Sequence, residues 1–255
     1  MAGGTLTPAL DDETEVTLED KIDKLMNEIS GRGCFTWFAY CAITFGMSAT
    51  GFYFYILAYM TMLPKYTDCV FKDPQPKDPK DACNADNICS GEVISYEIDW
   101  DNIYSLHNWV EKLDLTCCPG WKIGLLGSSV FIGWFITLPW VPRISDMYSR
   151  KWVFMIGMVL DWFLFIALFA CNDINWMIFI TLLFGLATTI RMNVGFVYLM
   201  ELIPRRSQSF YASIYNAQEA SQLFIATLYF WFVSKHWIYF TLIGFALSTW
   251  NVIAI

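Results

Sequence analysis

The sequence predicts an all-α membrane protein, a bundle of six transmembrane helices, on three observations. Of its 255 residues, 56% are hydrophobic and only 16% are charged, against about half and about a quarter in an ordinary soluble domain. The apolar residues gather into long runs, each near the roughly 20 residues that cross a hydrocarbon core at about 1.5 Å rise per residue. Two of these runs, Ile123–Val141 and Trp152–Cys171, are separated only by the polar-rich residues 142–151. So short a connector leaves no room for a domain and requires two antiparallel membrane helices.

Residues 1–33 form a polar, acidic N-terminal segment, with Asp11, Asp12, Glu13 and Glu15 ahead of any apolar run. This is not the pattern of a secretory signal, so the first apolar run is expected to act as its own insertion signal. Thr17 followed by Asp20 resembles a helix cap. Leu18, Ile22, Leu25 and Ile29 then recur on one helical face, predicting a short amphipathic helix on the membrane surface or against the bundle. The six spans are expected at Phe35–Leu63, Ile123–Val141, Trp152–Cys171, Trp176–Met200, Phe210–Val233 and Trp237–Ile255. The chain thus divides into residues 1–33, a first span within 34–63, a large loop at 64–120, and spans two to six within 121–255. Arg32, Arg143, Arg150, Lys151, Arg205 and Arg206 lie near span ends on one side, and Lys65, Lys122 and Lys235 on the other. That asymmetry puts the N-terminus in the cytoplasm.

The loop 64–120 opens with Pro-Lys-Asp repeats that favour an extended spacer. It holds Cys69, Cys83, Cys89, Cys117 and Cys118, five of the eight cysteines. On an exoplasmic face that density means disulfides, at most two within the loop, with one thiol left over. Zinc is the competing use of these residues, but the spacings match no common finger and only His107 lies nearby. No metal and no cofactor is expected. The net charge of −8 and the lack of a basic face argue against a nucleic-acid partner.

The connector Asp146-Met147-Tyr148-Ser149-Arg150-Lys151 resembles the G-x-x-x-D-x-x-G-R-K/R signature between spans two and three of the major facilitator superfamily, with Pro142 and Ser149 where that signature has glycines. Glu201-Leu202-Ile203-Pro204-Arg205-Arg206 resembles the E-x-x-P plus basic signature that follows span four in its sugar-porter and organic-ion branches. Gly31-Arg32-Gly33-Cys34-Phe35, the long cysteine-bearing loop, and Asp114-Leu115 followed by Cys117 and Trp121 are similar to the organic cation/anion (solute carrier) branch. The resemblance implies the N-terminal six-helix half of a twelve-helix secondary transporter. It also implies that Asp146, Arg150, Lys151, Glu201, Arg205 and Arg206 tie helix ends together as a gate. The chain stops at Ile255, inside the expected sixth span, which reads as a fragment of a longer protein; the other reading is a complete half that pairs with a second chain.

Three ionisable residues fall within spans: Asp161, Arg191 and Glu219. Each costs about 2.5–3.5 kcal/mol at a helix centre on insertion scales, so none should face lipid. Arg191 is the one cation within the spans, and contact with Glu219 or with Asp161 is expected. The reading is either a structural tie between helices or a solute or proton site. Tyr215, Asn216, Glu219 and Gln222 make a stripe on span five too polar for lipid. Arg191, Gly195 and Tyr198 share a face of span four. Tyr40, Phe52, Tyr55 and Tyr59 on span one offer ring faces to a cation, although aromatic residues in such helices also serve for packing. Arg191 points to an anionic solute; Glu219, Asp161 and the aromatic residues point to a cationic one. Neither His107 nor His236 sits in a catalytic motif, and no phosphate-binding Gly-rich loop is present, so no enzyme is expected. The function read from the sequence is secondary transport of a small organic solute, an organic ion or sugar-like, by alternating access. The partners are the bilayer, the solute and a second six-helix half, and the plasma membrane is preferred to an internal one. The alternative is a six-span subunit or scaffold that no longer transports.

Overall fold

The computed structural model describes residues 34–72 and 83–254, together with Lys21, Lys24, Leu25 and Glu28, which are helical. The remainder of the expected N-terminal helix and the Pro-Lys-Asp stretch 73–82 lie outside the described residues.

Helices stand at all six expected segments. The first is α1 (Cys34–Phe54), continued after a short break by α2 (Leu57–Met60). The disulfide-bonded segment follows, with β1 (Tyr66–Phe71), α3 (Ala85–Cys89), β2 (Val93–Ile98) and α4 (Trp109–Lys112). Then come α5 (Gly120–Thr137), α6 (Val141–Tyr148), α7 (Arg150–Ala170) and α8 (Ile174–Thr189). A π-helical turn (Ile190–Val194) joins α8 to α9 (Gly195–Leu202), and α10 (Arg205–Phe232) and α11 (Trp237–Ala254) complete the bundle.

Three of these segments, Thr36–Met60, Arg150–Ala170 and Ile174–Leu202, are long and apolar enough to cross a membrane. A fourth is α5 with α6, bent by 47°. The bend falls at Pro139, which supplies no N–H and whose ring obstructs a continuing helix. The short polar connector from residue 142 is largely the helix α6, with Pro142 in its first turn. α11 is apolar but shorter, and α10 carries Gln218, Glu219, Ser221 and Gln222 in its middle.

The bundle buries the ionisable groups of its membrane helices and leaves many large apolar side chains exposed on its outside. Phe135, Trp152, Phe163, Phe224, Trp231 and Phe232 are exposed, while Asp161, Arg191, Ser248 and Asn251 are fully buried. In water this would be unstable; against lipid it is the arrangement that spares every ionisable group contact with hydrocarbon. Two apolar cores are stacked along the helices. One holds Tyr53, Phe165, Phe184, Ala226 and Phe240; the other holds Tyr40, Met47, Phe154, Val194 and Tyr215. Between them along the helices lie Ser48 and Thr50 of α1, Asp161 of α7, and Glu219 and Gln222 of α10, a buried polar layer.

α5 and α8 make the closest crossing. A Cβ on Gly133 would stand 2.1 Å from the Leu182 carbonyl oxygen, and one on Gly185 would stand 1.9 Å from that of Val130. Hydroxyls pair on either side of the glycines, Ser129 with Thr181 and Thr137 with Thr189 (2.6 Å). Each pairing joins residue i to i+52, and a constant offset means that α5 and α8 run in the same direction.

The segment between α2 and α5 caps one end of the bundle. β1 and β2, on either side of the Pro-Lys-Asp stretch, form an antiparallel pair, for which the sequence reading named no strands. Cys69 bonds Cys83 and Cys89 bonds Cys117, which leaves Cys118 free. Asn108 Nδ2 donates to the carbonyls of Tyr59 and Met62, at 2.9 and 2.7 Å. Lys112 Nζ donates to those of Leu168 and Phe169, at 3.3 and 3.1 Å, supplying a cation where the last turn of α7 exposes unpaired carbonyls. Partial burial lowers the Lys112 pKa from its ordinary value. His107 is stacked between Trp100 (3.8 Å) and His236 (4.0 Å), so the cap is also tied to the turn before α11.

Candidate functional site

The polar layer is built by residues from five helical segments. Asp161 and Arg191 are both fully buried, and Arg191 Nη1 stands 2.5 Å from Asp161 Oδ2. The approach is oblique: no guanidinium nitrogen of Arg191 makes a well-aligned hydrogen bond to a described residue, and Asp161 Oδ1 has no such partner. Ser248 Oγ of α11 donates to Asp161 Oδ2 at 3.3 Å. Arg191 lies in the π-helical turn. An extra residue in a helical turn re-aims the side chains that follow it, and such turns are frequent at functional sites.

Glu219 faces the same layer from α10. Its Oε1 accepts a hydrogen bond from Gln222 Nε2 at 3.1 Å, and its Oε2 is buried without a partner among the described residues. Arg191, Tyr55 and Tyr215 are close enough to the Glu219 carboxylate to interact with it electrostatically. Gln222 is inserted against Gly51 of α1, where a Cβ would lie 1.6 Å from its Oε1. Gln218 Nε2 donates to Ser48 Oγ at 2.5 Å. The structure therefore groups Arg191, Asp161, Glu219, Gln222, Tyr215 and Tyr55.

Two residues expected with them sit elsewhere. Asn216 is exposed and, with Tyr215, Trp134, Met192 and Asn193, lines a cavity of about 500 Å³ that reaches Asp146 and Arg150. Tyr198 lies beside Lys151 and Glu201 at the end of the bundle. A regular helix would carry Tyr198 on the Arg191 face; the π turn between them alters that register. Most of the span-one aromatics are packed on rings: Tyr40 on Trp37 and Tyr211, Phe52 on Phe240, and Tyr59 on Phe230.

At the end opposite the disulfide-bonded cap, Arg150 binds two acids at once. Its Nη2 donates to Asp146 Oδ1 at 2.9 Å, and its Nη1 stands 2.7 Å from Glu201 Oε1. The contact ties α6, the start of α7 and the end of α9. No ion pair among the described residues joins Lys151 or Arg206. Ser149, where the resembled signature has glycine, takes φ 133° and ψ 126°. That backbone region is left almost entirely to glycine, which explains why the signature places one there.

Sequence reasoning missed Asn193, Ser248 and Asn251. Asn193 Nδ2 is a buried donor without a partner among the described residues. Asn251 Nδ2 donates to the Ala42 carbonyl and so ties α11 to α1. An amide inside an otherwise apolar run was the available signal, since such groups seek partners across helices.

A family model described as "Sugar (and other) transporter" matches residues 38–237. Solute carrier family 22 member 2 of Oryctolagus cuniculus is 22% identical over 149 residues, which cover 47% of this chain and 27% of that protein. The Homo sapiens protein of the same description is 23% identical over 133 residues, covering 52% and 24%. The match thus spans about a quarter of the length of these curated relatives. With most of its length inside the family model and the ionisable residues of its membrane helices, Asp161, Arg191 and Glu219, buried, the chain is a multi-pass membrane protein and belongs to the sugar (and other) transporter family of the major facilitator superfamily.

Proposed function

We propose that the chain is the N-terminal six-helix half of a secondary transporter that moves a small organic solute, an organic ion or sugar-like, by alternating access. The second half stands in the same polypeptide or in another chain. The observation that carries this reading is the Arg150 contact with both Asp146 and Glu201. It joins three helix ends through charges that are partly exposed. Exposed ion pairs contribute only about 0–1 kcal/mol each, so such a latch is easily broken and remade between two states.

The cavity of about 500 Å³ reaches from this latch to Tyr215. Its size suits a small ligand, typically bound in about 300–1,000 Å³. It offers solute one route towards the polar layer, where Arg191, Glu219, Gln222, Tyr215 and Tyr55 supply the polar and aromatic groups. The latch end is cytoplasmic, with the N-terminus, and the disulfide-bonded cap is exoplasmic at the plasma membrane. Two cystine bridges fit an oxidising side. No catalytic chemistry enters the cycle; movement follows a solute or ion gradient.

The test is uptake by proteoliposomes holding the natural full-length protein, with labelled organic cations, organic anions and hexoses offered in turn. Saturable uptake of one class, changed severalfold by Asp146→Asn with unchanged folded yield, is the expected result. An unchanged rate in that variant removes the latch from the mechanism. No saturable uptake of any class, together with co-purification of a stable partner chain, favours a non-transporting subunit. The strained Ser149 backbone is the observation on that side, because it stiffens the latch.

A further inference from the structure

We propose that His107 and His236 form a pH-sensitive clasp between the disulfide-bonded cap and the start of α11, closed while the pair holds at most one proton and opened when both rings are protonated. The proposal stands apart from the transport reading, because it needs only the cap and the helix that the cap meets. These are the two histidines of the chain. His107 lies in the cap and His236 just before α11. Their rings stack face to face, with centroids 4.0 Å apart and planes 4° apart, and Trp100 stacks on His107 at 3.8 Å. The backbones pair at the same place. The His107 N–H donates to the Lys235 carbonyl at 3.0 Å, and the Trp237 N–H donates to the His107 carbonyl at 3.2 Å.

The site is built to hold one proton and not two. An ionised carboxylate can only accept, so the 2.8 Å contact with Glu111 Oε2 fixes a hydrogen on His107 Nδ1 and leaves Nε2 to titrate. With Nε2 protonated, the ring is a cation held by a carboxylate and by the face of Trp100. His236 has no such support: among the described residues no ion pair joins it to an acid. The groups around it are His107 itself, its neighbour Lys235, Tyr239 at 5.8 Å from ring to ring, and Lys112, whose Nζ lies 5.4 Å from the adjoining Trp237 ring. Lys235 Nζ donates to the Trp100 and Asn102 carbonyls, which brings its charge onto the loop that carries the stack. Asp99 and Asp101 flank Trp100 in sequence and form no ion pair with either imidazole. A second proton therefore lays one imidazolium flat against another, with two ammonium groups nearby and the Glu111 carboxylate already engaged. His236 is exposed, and swinging out into water relieves the repulsion.

The closed form binds at most one proton and the open form binds two, so falling pH favours the open form. An imidazole changes charge between about pH 5 and 8, which keeps the clasp shut in a neutral medium and opens it on mild acidification. The opening is one-sided. Asn108 stays on the carbonyls of Tyr59 and Met62, and Lys112 stays on those of Leu168 and Phe169, because acid removes neither donor. The cap keeps its hold on α2 and α7 and releases the start of α11 alone.

The test is hydrogen–deuterium exchange, read by mass spectrometry on the natural full-length protein in nanodiscs at about pH 7.5 and about pH 5, which bracket the imidazole range. Rates are corrected for the intrinsic pH dependence of amide exchange. In the wild type, residues 234–239 should exchange severalfold faster at the lower pH, while α8 stays protected. His236→Phe keeps a ring in the stack but takes no proton, and should hold residues 234–239 protected at both values. Glu111→Gln removes the carboxylate that retains the closed form's proton, and should open at a higher pH than the wild type. Wild-type protection indifferent to pH overturns the proposal. So does acid opening that persists in His236→Phe, or a loss of protection that spreads to α8 and so reports general unfolding.

Discussion

Arg191 is the side chain whose loss should be felt most, because Asp161 would keep its charge with only Ser248 to donate to it. Breaking a buried ion pair from one side costs about 3–5 kcal/mol, whereas replacing both partners by apolar residues is often neutral. Arg191→Met should therefore cut the folded yield and lower the melting temperature in detergent sharply. Arg191→Met with Asp161→Leu should recover most of the loss in thermal stability while leaving any transport impaired. Failure of the double variant to recover would mean that the pair does more than neutralise itself. At the other end of α7, Ser149→Gly removes a backbone strain of order 1 kcal/mol or more. It is expected to raise the melting temperature by a few degrees, read in the same assay. The ionisable set was visible in the sequence as three charges inside apolar runs. The geometry among them was not, because it depends on the π turn at Ile190–Val194, and no local signal distinguishes a π turn from a continuing helix. Ser149 marked its own strain only through the glycine expected in its place.

Among the elements, the parallel crossing of α5 and α8 depends on two glycines whose missing side chains admit the partner backbone. The obstructing atoms are carbonyl oxygens rather than flexible side-chain tips, so relief requires the helices to move apart. That motion would also separate the Ser129–Thr181 and Thr137–Thr189 hydroxyl pairs. Gly185→Val is predicted to destabilise the bundle by at least the roughly 1–3 kcal/mol of ordinary overpacking, seen as loss of monodisperse protein on size exclusion in detergent. Gly124→Ala, where a Cβ meets nothing, is the matched control and should be silent. Apolar runs gave away the helices because hydrocarbon permits no other economical backbone. The crossing itself was hidden, since glycine and hydroxyl spacing at i, i+4 and i+8 does not say which helix receives it. The pair β1–β2 was hidden for a related reason: its strands are short, half exposed and separated by a long stretch, so their pairing rests on tertiary context and the Cys69–Cys83 bridge.

For the molecule as a whole, the two ends differ in kind, and the difference predicts orientation. One end carries Arg143, Arg150, Lys151, Arg205 and Arg206 with a latch made of partly exposed charges. The other is a cap held by two disulfides, by Lys112 on the carbonyls of α7 and by stacked His107 and His236. In the proposed cycle the latch opens and the cap does not, and partly exposed charge suits the first as covalent bonds and buried donors suit the second. The base asymmetry was readable along the chain; the docking of the cap was not, because it joins residues as distant as Asn108 and Tyr59. Orientation can be read chemically. Asn102 and Ile103 precede the exposed Tyr104, so Tyr104→Thr creates an N-glycosylation acceptor on the cap without touching the buried Ser105. If the cap is exoplasmic, this variant expressed in a eukaryotic membrane should gain mass that a glycosidase removes, and Tyr104→Ala should not. A second acceptor introduced by Met147→Asn, which precedes Tyr148 and Ser149 in the latch, should stay unmodified. The reverse pattern would invert the molecule, placing the disulfides in a reducing compartment and the basic residues on the far side.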